Sequence, residues 1–433
     1  MKEVLKQLEN INYWHNKPEF NLGFIRKDYL RTITKLSNNK LIKVLVGQRR
    51  SGKSYIIRQS INNLISNKKI NPKNIFYLNK EMFEFKNIVK AEDLSELIDK
   101  YKKLIKPKGK IYIFIDEVQN IKNWEQIISS LAQHPVSNYE IFITGSNSKL
   151  LSGELASLLS GRYVVINIYP FSYNEFLNFK KLDNNSENFL VYLQSGGLPE
   201  VYNLADNEAI RFYFRSLKDT ILLKDIMYRY KIRDYILLED IFLFLIYNIG
   251  NLTSISSIIK YFKSKGRKVD YSTVAQYLSY MQDAFLINEV PRFILKRKEV
   301  LSGEKKYYLN DIGFRNYLFP NAIKDISALL ENIVLNHLKI NNFDVKIGYE
   351  NKLEIDFFAE KEEEKLHIQV TYLLASNETI DREFRVLKKI KDNYPKYVLS
   401  MDSILLGNVD GIIHQNIFDF IFNLNSTNTP KNI

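Results

Sequence analysis

At 433 residues the chain has room for about two to four domains, and an apolar fraction of 45% supplies buried cores for them. It has no cysteine, which excludes disulfides and thiolate metal centres, and its five histidines lack zinc-site spacing. The net charge of +13 points to an acidic partner, nucleic acid first, with acidic membrane surfaces or proteins as the other classes.

Met1-Lys2-Glu3-Val4-Leu5-Lys6 lacks the apolar core of a signal peptide. The longest uncharged run, Ile241 to Ile259, contains Asn248, Gly250, Asn251, Thr253 and Ser254 and is too polar to span a membrane. The expected location is the cytoplasm, with no membrane partner. No internal repeat or long low-complexity linker is visible. Residues 1 to 40 read as a helical lead-in, with Trp14 and Tyr29 as core or pocket walls.

Leu41 to Val46 reads as a buried strand, and Lys53 to about Asn67 as a helix with Ile56, Ile57, Ile61, Leu64 and Ile65 on one side. Between them Gly47-Gln48-Arg49-Arg50-Ser51-Gly52-Lys53-Ser54 fits G-x-x-x-x-G-K-[ST], the phosphate-binding loop of nucleoside triphosphatases. Glycines let such a loop wrap a phosphate with its N–H groups pointing inward, and the helix start adds a positive dipole end. Lys53 is expected to reach the β and γ phosphates of ATP, and the Ser54 hydroxyl to ligate Mg²⁺.

Strands and helices then alternate. Asn74 to Asn79 reads as a strand and Ala91 to Ile105 as a helix with Leu94, Leu97, Ile98 and Leu104 apolar. Lys110 to Glu117 reads as a buried strand ending in two carboxylates, Trp124 to Gln133 as a helix, and Glu140 to Asn147 and Tyr163 to Ile168 as further strands. Apolar strands alternating with helices indicate a parallel sheet covered on both faces. At the carboxyl end of its strand, Asp116 is expected to hold Mg²⁺ and Glu117 to act as the base for the attacking water.

Gly47 to Ser54, Ile113-Phe114-Ile115-Asp116-Glu117 and Ile143-Thr144-Gly145-Ser146-Asn147 resemble Walker A, Walker B and sensor 1 of the AAA+-like ATPases. The resemblance spans about residues 20 to 230. It is nearest to the prokaryotic branch that also carries Leu159-Ser160-Gly161-Arg162-Tyr163, Pro170-Phe171-Ser172-Tyr173-Asn174-Glu175-Phe176 and Gly196-Gly197-Leu198-Pro199. It implies a sheet in 5-1-4-3-2 order and a γ-phosphate or water contact from Ser146 or Asn147. It also implies an arginine-finger position at Arg162, for which a structural ion pair is the equal alternative. The Gly-Gly-Leu-Pro stretch is either a family motif or a tight turn into a helical lid, expected from Glu200 to about Arg233.

From about Tyr235 shorter helices are expected, Ile236 to Ile249, Thr253 to Ser264 with Thr253 or Ser254 as cap, and Asp270 to Phe285. Strands Leu286 to Phe293 and Lys305 to Leu309 around a basic loop complete a winged-helix pattern. Between Lys260 and Lys306 there are eleven Lys/Arg against five Asp/Glu. Lys263, Lys265, Arg267 and Lys268, with Lys296, Arg297 and Lys298 in the wing, are expected to hold DNA phosphates and set Ser272, Thr273 and Gln276 in a major groove. Protein docking is the alternative for the same surface.

Ile326 to Lys339 reads as a helix carrying Glu331, followed by strands Phe343 to Ile347, Leu353 to Phe358 and Lys365 to Thr371. Alternation puts Glu354 and Asp356 on one strand face, and Gln369 and Thr371 on another. This resembles the restriction-endonuclease-like domain that commonly trails this ATPase branch. That resemblance implies an acidic site of Glu331, Asp356 and Gln369, with Glu354 beside it. The family lysine is replaced by Thr371, and Lys352 and Lys365 are the candidates to migrate in.

The resulting expectation is an α/β protein with a parallel-sheet P-loop ATPase core at 1–199, a helical lid at 200–234, a winged helix at 235–312 and a small α/β nuclease-like domain at 313–433. Its cofactors are ATP and Mg²⁺, its partner double-stranded DNA, and self-association is left open. A nucleotide-gated protein-interaction switch and an active Mg²⁺-dependent nuclease are the alternatives.

Overall fold

The computed structural model describes residues 2–15, 20–136, 138–148, 159, 161–319, 325–350 and 353–424. The chain forms two compact units, Met1–Ile168 and Tyr169–Ile433. Among the described residues no helix is long and apolar enough to cross a membrane.

In the first unit, α1 (Lys2–Asn10) and α2 (Lys27–Lys35) precede β1 (Ile42–Val46), α3 (Lys53–Ser66), β2 (Ile75–Asn79) and α4 (Ala91–Ile105). Next come β3 (Ile111–Asp116), α5 (Trp124–Ala132), β4 (Tyr139–Gly145) and β5 (Tyr163–Asn167). All neighbouring strands are parallel, in the order β2-β3-β4-β1-β5, the 5-1-4-3-2 order expected. Ile56, Ile57, Ile61 and Leu64 of α3 bury against Leu45, Phe114 and Phe142. In α4, Leu94, Leu97 and Ile98 are buried as expected, but Leu104 is exposed, because Tyr101 and Ile105 fill the inward face.

The lead-in seals the sheet edge. The Asn12 carboxamide accepts the Tyr77 N–H at 2.8 Å and donates to the Tyr77 carbonyl at 2.9 Å, as a neighbouring strand would. Trp14 donates to the Ile75 carbonyl and stacks on Tyr101, which makes it a wall of the core. Inside the sheet, Lys43 and Glu140 form an ion pair with no exposure, and Lys110 joins from its rim. Burial lowers the Lys43 pKa, and Glu140 opposes that shift.

The second unit starts with helices Tyr173–Lys180, Ser186–Ser195 and Asn207–Thr220. The last continues as a π-helix, Ile221–Met227, through the expected lid. Helices Tyr235–Tyr247, Ile255–Ser264 and Tyr271–Asp283 follow, with Ser254 capping the second. Strands β6 (Leu252–Thr253), β7 (Ile287–Ile294) and β8 (Glu299–Leu309) come next. β8 begins well before Lys305, so the expected long basic loop shrinks to the turn at Leu295–Lys298. The pairing of Phe293 and Ile294 with Val300 and Glu299 draws those residues into the hairpin.

Beyond helices Gly313–Leu318 and Ile326–Ile340 lie β9 (Asp344–Glu350), β10 (Leu353–Lys361) and β11 (Glu364–Val370). The helix Asn377–Lys388, β12 (Lys396–Ser400), β13 (Asn408–Val409), β14 (Ile412–Asn416) and the helix Ile417–Leu424 complete the unit. The hairpin and these strands form one nine-stranded sheet, β13-β14-β12-β11-β10-β9-β7-β8-β6. The strands before and after position 312/313 therefore share one continuous sheet, because β7 pairs in parallel with β9.

Gly196 and Gly197 make a carboxylate clasp. The Gly197 N–H donates to Asp311 at 2.7 Å, and the Gly313 N–H donates to its other oxygen at 2.8 Å. A Cβ on Gly196 would lie 2.2 Å from Asp311 Oδ1, and one on Gly197 2.4 Å from the Phe171 carbonyl. The motif is thus a glycine-dependent close approach.

Glu140→Ala should lower stability by about 3–5 kcal/mol by stranding the buried Lys43 charge. Adding Lys43→Met should recover most of that loss. Denaturant unfolding of both variants checks this, and an unchanged midpoint in Glu140→Ala would refute it.

Candidate nucleotide site

The loop Gly47–Gly52 leaves β1 at the carboxyl edge of the parallel sheet, the usual ligand edge of such sheets. Gly47 has no space for a side chain: a Cβ would lie 2.0 Å from the Ile168 carbonyl. Arg50 and Gly52 take left-handed backbone, φ 70° and 97°, as the chain curls into α3. Lys53 is buried, and its Nζ donates to the Gly47 and Gln48 carbonyls at 2.9 and 3.0 Å. Gln48 and Ser51 are also buried, while Arg49 reaches sideways to Glu81 at 2.8 Å.

A residue that the motif did not reveal holds the loop from behind. Arg26, buried, donates to the Ser51 carbonyl at 3.0 Å and lies over the Tyr29 ring at 4.4 Å. Gln59 of α3 fixes that segment by donating to the Leu22 and Phe24 carbonyls at 2.7 and 2.8 Å. Only an arginine just before a helix signalled Arg26 in the sequence, and that signal is not specific.

Asp116 and Glu117 stand beside the loop. Lys53 Nζ lies 3.9 Å from Glu117 Oε1. Thr144 donates its hydroxyl to Asp116 and accepts the Glu117 N–H at 2.9 Å, so one side chain ties both acids. Gln119 donates to Glu117 and reaches Ser146 Oγ at 3.4 Å. Ser146 and Asn147 follow β4 and are buried. Thr144 lies within the quoted sensor 1 stretch, which gave it no role, and Gln119 lies two residues past Glu117; both are site residues that the sequence reading left out.

Burial, then the Glu117 charge, push Asp116 up to about 6, against Thr144, Ser54 and Lys53. Its Oδ2 is buried without a hydrogen bond of ordinary geometry. An orphaned carboxylate oxygen near a serine hydroxyl is a donor set that fits Mg²⁺.

Arg162 lies elsewhere. It is exposed, and the Ile42 N–H donates to its carbonyl at 2.9 Å, which places it at the amino edge of the sheet. The loop is at the opposite edge, beyond the length of β1, roughly 13 Å at ~3.3 Å per residue. Arg162 therefore does not reach the phosphate loop of its own chain. Ser160 of the same motif lies outside the described residues.

In the second unit, Lys268, Ser272, Gln276, Lys296, Arg297 and Lys298 are exposed and Thr273 is half-buried. Lys263 and Lys265 are exposed too, but Arg267 is spent on Asp234 and Asp240, each at 2.8 Å. Glu331, Glu354 and Asp356 do converge, around Lys306 of β8. Gln369 is beside them, accepting the Asp356 N–H at 3.3 Å and donating to Glu383 at 2.9 Å. The lysine at this cluster is neither of the two expected. Lys365 lies over the Tyr394 ring, and Lys352 lies outside the described residues. β8 is a neighbour of these acids only through the shared sheet, which no local pattern announces.

Residues 39–177 match the family described as AAA domain, and residues 186–325 match a domain of unknown function. An uncharacterised protein of Haemophilus influenzae is 36% identical over 392 residues, 89% of this chain and 96% of that protein. An uncharacterised protein of Methanocaldococcus jannaschii is 32% identical over 375 residues, 83% of this chain and 80% of that protein. Among solved structures, a Walker-type ATPase of Pyrococcus abyssi aligns with a TM-score of 0.46 at 17% identity, over 68% of this chain and 95% of that one.

The Asp116 shift predicts a pH dependence for the ligand-free chain. Its pKa is raised in the folded state, so its contribution is full below about pH 4 and is lost as pH climbs through about 6. Asp116→Asn should therefore gain on the parent chain between those values, by up to about 3 kcal/mol near neutrality. Thermal unfolding across the range checks this; a gap independent of pH would refute it.

Proposed function

We propose, for a chain that belongs to the family of these Haemophilus influenzae and Methanocaldococcus jannaschii proteins and carries an AAA domain, that it is a Mg²⁺-dependent ATPase coupled to double-stranded DNA. The observation that carries this is the buried group of Lys53, Asp116, Thr144 and Glu117 at the ligand edge of the parallel sheet. Backbone N–H groups from Gly47, Gln48, Arg49, Arg50, Ser51 and Gly52 through Ser54 would cradle the phosphates, and Lys53 would turn from the loop carbonyls to the β and γ oxygens. Ser54 and Asp116 would hold Mg²⁺, which supplies charge neutralisation at the phosphate oxygens when bound.

Glu117 takes a proton from water as its oxygen attacks the γ phosphorus, and the bond to the ADP oxygen breaks, giving ADP and phosphate. Ser146 or Asn147 contacts the γ phosphate or that water. Arg162 serves, if any site, that of a second copy, since its own loop is at the opposite sheet edge.

For DNA, we read the helices from Tyr235 to Asp283 with the β7–β8 hairpin as a winged helix, and β9–β14 with the helix Ile326–Ile340 as a nuclease-like tail. Exposed Ser272 and Gln276, with Thr273, lie on its third helix, and Lys268, Lys296, Arg297 and Lys298 flank it. The protein-interaction reading draws on Arg267, whose charge is already spent, and on β7, whose edge is taken by β9.

ATP hydrolysis with and without duplex DNA separates these readings. Turnover should fall ~10²-fold or more in Glu117→Gln, with ATP still bound, because the base is lost. Duplex should raise the parent rate several-fold. A Glu117→Gln rate equal to the parent would refute the catalytic assignment; a rate indifferent to duplex would favour the switch. Replacing Lys296, Arg297 and Lys298 by alanine should weaken duplex binding and reduce its log–log salt slope by up to about 3. An unchanged slope would remove the hairpin turn from the DNA surface.

A further inference from the structure

Lys306 is a buried lysine held by three acids. Its Nζ lies 3.0 Å from Glu354 Oε1, 3.2 Å from Glu331 Oε2 and 3.3 Å from Asp356 Oδ1. The lysine comes from β8, Glu354 and Asp356 from β10, and Glu331 from the helix Ile326–Ile340. Neighbouring groups hold the acids as well. Tyr308 donates to Glu331 at 2.7 Å, the Val370 N–H donates to Asp356 Oδ2 at 2.9 Å, and Gln369 is bound at both ends of its carboxamide.

Three carboxylates around one point charge supply the oxygen ligands a divalent cation takes at about 2.0–2.6 Å, but among the described residues no three such side chains are arranged to hold a metal ion. Here an ammonium holds the centre at hydrogen-bond distance. A divalent ion cannot join it: the two like charges would sit within a few ångströms in a poorly solvated place, and the inner carboxylate oxygens are already engaged. Nor is this lysine placed to steady charge on an attacked phosphodiester. Its side chain is only 6% exposed, and its Nζ is turned to three carboxylates. Thr371, at the position expected for a lysine, supplies no charge instead.

We propose that the Lys306 ammonium is the resident cation of this cluster, sitting where a divalent metal would otherwise bind, so that the tail is a metal-free, non-cutting module. The charge also has a structural use, since one ammonium fastens β8 to β10 and to the helix carrying Glu331. Burial pulls the Lys306 pKa down, but the charges of Asp356, Glu331 and Glu354 outweigh it and hold the ammonium protonated. Glu331 is pushed up, first by burial and then by Asp356. The inference is independent of whether the first unit hydrolyses ATP.

Mn²⁺ binding to the full-length chain, followed by electron paramagnetic resonance without nucleotide, tests it. The parent chain and Asp356→Asn should bind the same number of ions, because Asp356 is already engaged. Lys306→Ala should gain one Mn²⁺ per chain, and Lys306→Ala with Asp356→Asn should lose it again. Any Mn²⁺ at Asp116 is common to all variants and cancels. Neither the parent nor Asp356→Ala should nick plasmid in Mg²⁺. An ion on the parent chain that Asp356→Asn removes would overturn the proposal, as would Mg²⁺-dependent nicking lost in both Asp356→Ala and Lys306→Ala. A folded Lys306→Ala that gains no ion would also overturn it. If that variant does not fold, the comparison of parent with Asp356→Asn still decides.

Discussion

One hydroxyl, that of Thr144, ties together the two acids at the carboxyl end of β3, Asp116 and Glu117. It can do so only because β4 is inserted between β1 and β3, so that three adjacent strands of the sheet deliver the loop, the hydroxyl and the acids to one edge. Glu117 itself has left-handed backbone, φ 57°, which is costly for a residue with a side chain. The bond from its N–H to Thr144 helps to hold that turn and leaves the carboxylate facing Lys53.

The loop is braced by cations on two sides. Lys53 holds the Gly47 and Gln48 carbonyls, and Arg26 holds that of Ser51. A phosphate loop must present N–H groups, and a brace on its carbonyls keeps the chain curled in the sense that does so. Asp116 is the counterpart: a carboxylate buried next to another, its pKa pushed up to about 6.

The second unit solves the same problem of buried charge without a ligand. Asp311 is pushed up to about 6 by burial, opposed by N–H donors at glycine positions where nothing larger fits. Glu331, Glu354 and Asp356 share one ammonium from another strand, and burial with the Asp356 charge pushes Glu331 toward its uncharged form. Both devices join segments far apart in the chain, and the ammonium ties the hairpin to β10 of the same sheet.

Much of this was legible beforehand. The phosphate loop, the Asp116–Glu117 edge, the strand–helix alternation and the cap at Ser254 follow from patterns a few residues long, because backbone conformation and amphipathic periodicity are local properties. The strands after Thr371 and the real start of β8 were not legible, since their alternation is weak and their partners are remote. Residues and spacing alone determined that the chain can bind a nucleotide phosphate and that acids recur near Glu354 and Asp356. Only the tertiary structure decided that Arg162 is at the far edge from its own loop, that Arg26 braces it, and that Lys306 fills the acidic cluster. These depend on which strands become neighbours, and that is set by burial across distant segments rather than by any short run of sequence.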